Sequence, residues 1–223
     1  MDVLLAQEVA VKESWLNMKK KLIIVFVKNS LKGKVKTRLA KVIGDEKALK
    51  VYDHLLGITE SAIAPLKMEK WIYYSDFCVD DQFESTKKYL QKGTDLGQRM
   101  KHAFEEGFEQ DFEQIVLIGS DLPDISAEIL QKSFKALNTN DCVFGKAEDG
   151  GYYLIGLSKI NSSIFENKPW SQSELLNVTL QELKEQKAQV ALLESLNDID
   201  TYEDLIESAL YKNDKNLQRL IAK

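Results

Sequence analysis

Six cations, Lys28, Lys32, Lys34, Lys36, Arg38 and Lys41, crowd the stretch between positions 28 and 41, which holds no acid. In a chain of net charge -5 this is a local reversal of sign. Gly33 lets the backbone turn, and Thr37 is placed to cap a following helix. Amides at a helix N-terminus, flanked by cations, form a natural seat for phosphate oxygens. A solvated basic loop would look the same, but this one directly follows the apolar run 22–27, which favours the phosphate seat. The loop is neither a P-loop, since no Gly stands six residues before Lys36-Thr37, nor a GxGxxG turn.

Carboxylates supply the other half of the chemistry. Asp121 follows the apolar run 115–118 after two small residues, and Pro123 ends the extended segment. A carboxylate so placed can hold Mg²⁺ or Mn²⁺ together with substrate phosphates. It could equally cap the next helix, as Asp124 or Ser126 could. Asp198-Ile199-Asp200-Thr201 offers a second acidic turn, open to the reading that Asp200 or Thr201 caps a helix. Asp149-Gly150-Gly151 reads as a hairpin turn. It also permits a substrate to approach the backbone, with Glu148 or Asp149 as general base toward an acceptor. Arg99 can bind a phosphate or base edge, or pair on a helix surface. Trp170 can wall an acceptor pocket or fill the core. With two histidines and two distant cysteines, the chemistry rests on carboxylates and cations.

These groups need elements to hold them. Continuous apolar runs at 22–27 and 115–118 suit strands buried on both faces. Further strands are expected at 71–74, 142–144, 152–157 and 190–193. Helices are expected over 37–64, 81–92, 96–110, 126–137, 173–187 and 202–211. Strands alternating with helices predict a doubly wound, mostly parallel sheet, with ligands outside the strands' C-terminal ends.

At 223 residues and 44% hydrophobic, the chain suits one domain. We divide it into an N-terminal extension over 1–20, a single α/β domain over 21–212 and a C-terminal tail over 213–223. Residues 1–17 read as a helical extension, a docking arm or the product of an upstream start. The acidic balance argues against a nucleic-acid partner. Asp2, Glu8, Lys12 and Glu13 break the only N-terminal apolar run, so neither a signal peptide nor a membrane span is expected, and the cytoplasm follows.

Five motifs in order carry a resemblance: Val25-Phe26-Val27-Lys28 with Gly33-Lys34-Val35-Lys36-Thr37-Arg38-Leu39-Ala40; Asp95-Leu96-Gly97-Gln98-Arg99-Met100; Gly119-Ser120-Asp121-Leu122-Pro123; Asp149-Gly150-Gly151-Tyr152 onward; and Asp198-Ile199-Asp200-Thr201. Over roughly 21–205 the chain resembles a bacterial GT-A-fold, glycosyltransferase-like family of the DUF2064 type. Some members are labelled arsenosugar biosynthesis glycosyltransferases, and 2-phospholactate guanylyltransferases are related. The resemblance implies a single-domain GT-A-like, Rossmann-like α/β sandwich. It implies sugar transfer from a nucleotide-diphospho-sugar to a small-molecule acceptor, with nucleotidyl transfer from a nucleoside triphosphate as the rival. A relic that binds nucleotide without turnover is a third reading.

The resemblance further implies a metal held by Asp121 and Asp200, with Asp198 in reserve. Lys36, Arg38 and Asp149 become catalytic candidates. Lys28, Gly33, Lys34, Thr37, Asp95, Arg99, Ser120, Gly150, Gly151, Tyr152 and Trp170 become substrate-binding ones. Two departures stand out. Asn29, Ser30 and Leu31 replace the family's loop prolines, so a less rigid loop is expected. Ser120-Asp121-Leu122 also lacks the Asp-x-Asp triplet of metal-dependent glycosyltransferases.

Overall fold

The computed structural model describes residues 19–222; the expectations for residues 1–17 lie outside them. Seven strands, β1 (Lys21–Val27), β2 (Glu69–Tyr74), β3 (Lys87–Leu90), β4 (Gln114–Ile118), β5 (Cys142–Ala147), β6 (Tyr152–Leu157) and β7 (Val190–Leu196), form one sheet in the order β3-β2-β1-β4-β6-β5-β7. Only β6 runs against its neighbours, pairing antiparallel with β4 and β5. The expected mostly parallel α/β fold is therefore present.

The helices are α1 (Thr37–Ile43), α2 (Asp45–Ile63), α3 (Leu96–Glu109), α4 (Ala127–Ala136), α5 (Leu175–Glu185), α6 (Tyr202–Glu207), α7 (Ala209–Asn213) and α8 (Lys215–Ile221). Alternation along β1 sends Ile23, Val25 and Val27 to one face and Leu22, Ile24 and Phe26 to the other. The first face packs on Tyr52 and Leu56 of α2 and Ile129, Leu130 and Phe134 of α4. The second packs on Met100, Ala103 and Phe104 of α3 and Leu176 and Leu183 of α5. Burial on both faces is why these strands are continuous apolar runs rather than alternating ones. Among the described residues no helix is long and apolar enough to cross a membrane.

Four elements differ from the sequence reading, one of them the expected helix over 202–211, which breaks at the extended Ser208 into α6 and α7. The expected helix over 37–64 breaks at Gly44, whose φ of 83° and ψ of 155° no helix can carry. The expected helix over 81–92 is a loop followed by edge strand β3. Phe83 and Ser85 adopt positive φ, and Tyr89 stacks on Tyr73 with ring centroids 5.1 Å apart. Residues 215–221, placed in the tail, form α8, whose Leu217 and Ile221 are buried with Leu39, Leu55, Ile199 and Leu205. Because β6 runs in reverse, its first residue joins the ends of β1, β4, β5 and β7 on one rim. That rim gathers the basic loop, Asp121, the 148–152 turn and Asp198–Asp200.

Candidate active site

Lys36 lies where the basic loop enters α1. Its side chain is 4% exposed, and Nζ donates to Asp121 Oδ2 at 3.1 Å. Asp200 Oδ1 stands 3.6 Å from the same ammonium, and Arg38 Nη1 donates to Asp200 Oδ2 at 3.1 Å. Lys36, not Thr37, is the N-cap residue, and it has φ 47° with no side-chain capping bond. A lysine in the left-handed region costs about 1–3 kcal/mol. It is held there by the buried flanks Val35 and Leu39. Thr37 is exposed and begins α1.

The loop before Lys36 is anchored where looseness was expected. Asn29, 3% exposed, accepts through Oδ1 from the amides of Asp76 and Phe77 and donates through Nδ2 to the Phe77 carbonyl at 2.7 Å. An asparagine paired on both ends does the work that proline would do by restricting φ. Gly33 supplies the turn at φ 74°. Lys28 and Lys34 are exposed, and Lys32 lies 3.8 Å from Glu46.

Asp121 is fixed from two sides. Ser120 Oγ shares a hydrogen bond with the Tyr52 hydroxyl at 3.0 Å, and that hydroxyl also bonds the amide and carbonyl of Lys28. Ser120, an expected substrate contact, ties the end of β4 to the end of β1. The Ile199 amide donates to the Asp121 carbonyl at 3.3 Å, bringing the second acidic turn alongside. Thr201 caps α6 in a reciprocal box with Asp204. Asp200 is thereby free of capping, and it pairs with Lys36 and Arg38.

Asp198, held in reserve by sequence, is the member of that turn that lines the adjoining cavity with Asp121 and Asp149. Burial first, and then the neighbouring Asp121, push its carboxyl up to about 6. An unfolded aspartate titrates near pH 3.9. Below that pH both states are protonated and folding carries no penalty. As pH rises toward 6 the folded chain must ionise an acid that its surroundings disfavour, so stability falls across that window. Asp198→Asn should therefore raise Tm more at about pH 8 than at about pH 4. An equal gain at both pH values would contradict the assignment.

The turn between β5 and β6 is the expected hairpin. Asp149 Oδ1 accepts from the Gly151 amide at 2.9 Å while its carboxylate faces the cavity lining. Gly150 serves chain packing: with φ 91°, a Cβ there would lie 2.0 Å from the Ser173 carbonyl oxygen. Trp170 walls the cavity, packed against α3 where Gly97 leaves room; a Cβ on Gly97 would meet its ring at 2.5 Å. Asp95 caps α3 by accepting from the Gln98 amide, and Arg99 Nε donates to the Gly93 carbonyl at 3.2 Å. Neither lines the cavity, and these bonds shape the loop ahead of α3.

The cavity has a volume of about 250 Å³. Its apolar wall, Phe26, Met100, Leu117 and Ile155 with Leu96 at the mouth, carries no chemical motif and was missed by sequence reasoning. The available signal was positional: Phe26 and Leu117 stand at the last turns of the two runs that precede the basic loop and Asp121.

For a divalent cation the donors are carboxylate oxygens, which suit Mg²⁺ or Mn²⁺. Among the described residues no three His, Cys, Asp or Glu side chains are arranged to hold an ion by themselves. Asp121 and Asp198 are a pair of carboxylates in the cavity lining, and the Asp121 charge adds to burial in raising Asp198. Such a pair fits an ion that takes its remaining ligands from phosphate and water.

Residues 64–172 match the family described as an uncharacterized protein conserved in bacteria, DUF2064. A solved structure from Desulfovibrio desulfuricans G20, provisionally assigned as a nucleotide-diphospho-sugar transferase, is 31% identical. The match covers 92% of this chain and 97% of that one, with a TM-score of 0.81. The inositol-1-phosphate CTP transferase of T. maritima shares the fold at TM-score 0.57 and 17% identity, covering 92% and 99% of the two chains. So does glucosyl-3-phosphoglycerate synthase of Mycobacterium tuberculosis, solved with Mn²⁺ and UDP. Its TM-score is 0.50 at 12% identity, over 83% and 73% of the chains. No curated protein matches the chain in sequence.

Proposed function

The chain belongs to the DUF2064 family of bacterial proteins, and from that premise we propose that it transfers a sugar from a nucleotide-diphosphate donor to a small-molecule alcohol. One observation carries the reading. Asp121 is shared between a cationic loop, through Lys36, and a cavity lined by Asp121, Asp149 and Asp198 with no Lys, Arg or His. Sugar transfer develops positive charge at the anomeric carbon and negative charge on the departing diphosphate. The site offers acids for the first and cations for the second.

In this reading Lys36 and Arg38 bind the diphosphate, and the cavity holds the reacting alcohol. The alcohol oxygen bonds to the anomeric carbon as the bond from that carbon to the diphosphate oxygen breaks. The bonding electron pair stays on the diphosphate, and the hydroxyl proton passes to the Asp149 carboxylate. Asp121 and Asp198 would hold a Mg²⁺ or Mn²⁺ ion, which supplies Lewis-acid neutralisation of phosphate charge. Asp200, paired with Arg38 and Lys36, positions those cations rather than coordinating. The cytoplasm is part of the same proposal, supported by the free thiols of exposed Cys78 and buried Cys142.

Nucleotidyl transfer remains the second reading, favoured by the missing Asp-x-Asp triplet and by a buried lysine at the phosphate loop. The deciding assay offers nucleotide sugars and nucleoside triphosphates with Mg²⁺ or Mn²⁺ and a metabolite extract. Acceptor-dependent nucleoside diphosphate supports sugar transfer; acceptor-dependent pyrophosphate overturns it.

Arg38 tests the loop separately. Its side chain is 69% exposed and its pair with Asp200 is superficial, so Arg38→Ala should leave Tm nearly unchanged. It should weaken nucleoside diphosphate binding about tenfold to a hundredfold by titration calorimetry, the worth of a charged hydrogen bond. Unaltered affinity would remove Arg38 from the phosphate site.

A further inference from the structure

Residues 166–173 form one side of the cavity, with Trp170 and Ser171 in its lining. This segment turns on two left-handed residues that are not glycine, Asn167 at φ 54° and Ser171 at φ 63°. Such strain persists only where surrounding contacts over-determine the chain. Between the two stands Lys168, whose side chain is 1% exposed. Its ammonium donates to Glu182 Oε2 of α5 at 2.7 Å and to the Glu166 carbonyl at 3.2 Å. The Lys168 carbonyl in turn accepts from the Trp170 amide at 2.9 Å.

Lysine is almost never buried this far unless it is paired. An apolar side chain of similar length would fill the same space without giving up hydration. What the ammonium adds is direction: it ties the backbone two residues before Trp170 to α5. On the opposite side the indole meets α3, where the bare Gly97 makes room for it and for the Phe165 carbonyl. Trp170 thus stands between a helix that it packs on and a helix to which its neighbour is bonded. We propose that Lys168 is a positioning residue: with Glu182 it fixes where Trp170 stands, and through Trp170 it sets which acceptor the cavity admits. Lys168 does not itself line the cavity. The statement about the acceptor rests on the sugar-transfer reading; the placement of Trp170 does not.

The test uses the full chain labelled with fluorotryptophan and read by fluorine NMR, which needs neither ligand nor turnover. Its tryptophans are Trp15, Trp71 and Trp170, and the lines are assigned by their loss in Trp170→Phe and Trp15→Phe. Lys168→Met keeps the length of the side chain and removes the ammonium. It should shift or broaden the Trp170 line and leave in place that of Trp71, which is fully buried on β2. Glu182→Gln, at a partly exposed position, should act in the same direction, and it carries the test if Lys168→Met does not fold. In the turnover assay Lys168→Met should raise the acceptor KM about tenfold, the cost of a misplaced wall, with the nucleotide-sugar KM level. A merely structural loss would lower kcat through less folded enzyme and leave both KM values as they were.

A Trp170 line that stays put in both variants would overturn the proposal, as would equal shifts of the Trp170 and Trp71 lines. A moved Trp170 line with an unchanged acceptor KM would overturn the role in acceptor choice. The two readings fail separately. Pyrophosphate release, with Trp170 displaced in Lys168→Met, would defeat sugar transfer and leave the positioning role standing. Nucleoside diphosphate release with an unmoved Trp170 line would do the reverse.

Discussion

Asp121→Asn should lower kcat by about a thousandfold or more and shift Tm by only a few degrees. Asp121 is the residue that the basic loop and the cavity share, so under the proposed sugar transfer it bears on both halves of the reaction. Removing a single preorganised electrostatic group costs about 10²–10³ in kcat. Here the change also removes one of the two carboxylates available to a cation. The structural cost is small because the side chain is 39% exposed and Lys36 keeps a second partner in Asp200 at 3.6 Å. Turnover by nucleoside diphosphate release, with Tm by calorimetry, checks both statements. A loss below about tenfold would move the chemistry away from Asp121.

Lys36 should rank second, and its loss separates charge from backbone strain. Lys36→Ala removes the cation between Asp121 and Asp200 but keeps a Cβ in the left-handed region. Lys36→Gly removes the cation and relieves the strain. Breaking a fully buried ion pair costs about 3–5 kcal/mol. Both acids are partly exposed, so about 2 kcal/mol is the fitting expectation for Lys36→Ala. Lys36→Gly should recover about 1 kcal/mol of that. Both variants should lose about a hundredfold or more in kcat, because the diphosphate then leaves without its buried cation. If Lys36→Gly were active, the left-handed turn and not the ammonium would be what the site requires.

Much of the architecture was legible because burial on both faces writes continuous apolar runs, and 22–27 and 115–118 are such runs. The hairpin at Asp149-Gly150-Gly151 was legible for the same local reason. Edge strand β3 was not: half-exposed on one side, its residues carry no strand pattern, and its place depends on Tyr89 finding Tyr73. Thr37 looked like a cap because capping preferences are local. Lys36 took the position because Asp121 and Asp200 draw its ammonium inward from 85 and 164 residues away.

The same tertiary logic reordered the acids. Sequence could mark Asp198 and Asp200 as a pair, but only the reach of Arg38 decides which is neutralised and which faces the cavity. Ser120 and Gly150 read as substrate contacts because small polar residues beside a site look alike in sequence. The groups they meet within the chain, Tyr52 and Ser173, lie far off in sequence, so no local pattern announces them. The apolar wall was invisible for the opposite reason: Phe26 and Leu117 look like any core residue until the strand ends.

The most direct measurement is a crystal structure of the full chain grown with Mn²⁺ and its tightest-binding nucleoside diphosphate. An anomalous manganese peak is expected on the Asp121 carboxylate, with diphosphate oxygens against Lys36 and Arg38 and the cavity by Tyr152 and Trp170 left open beside them. A diphosphate bound away from Lys36, or manganese bound without Asp121, would contradict it.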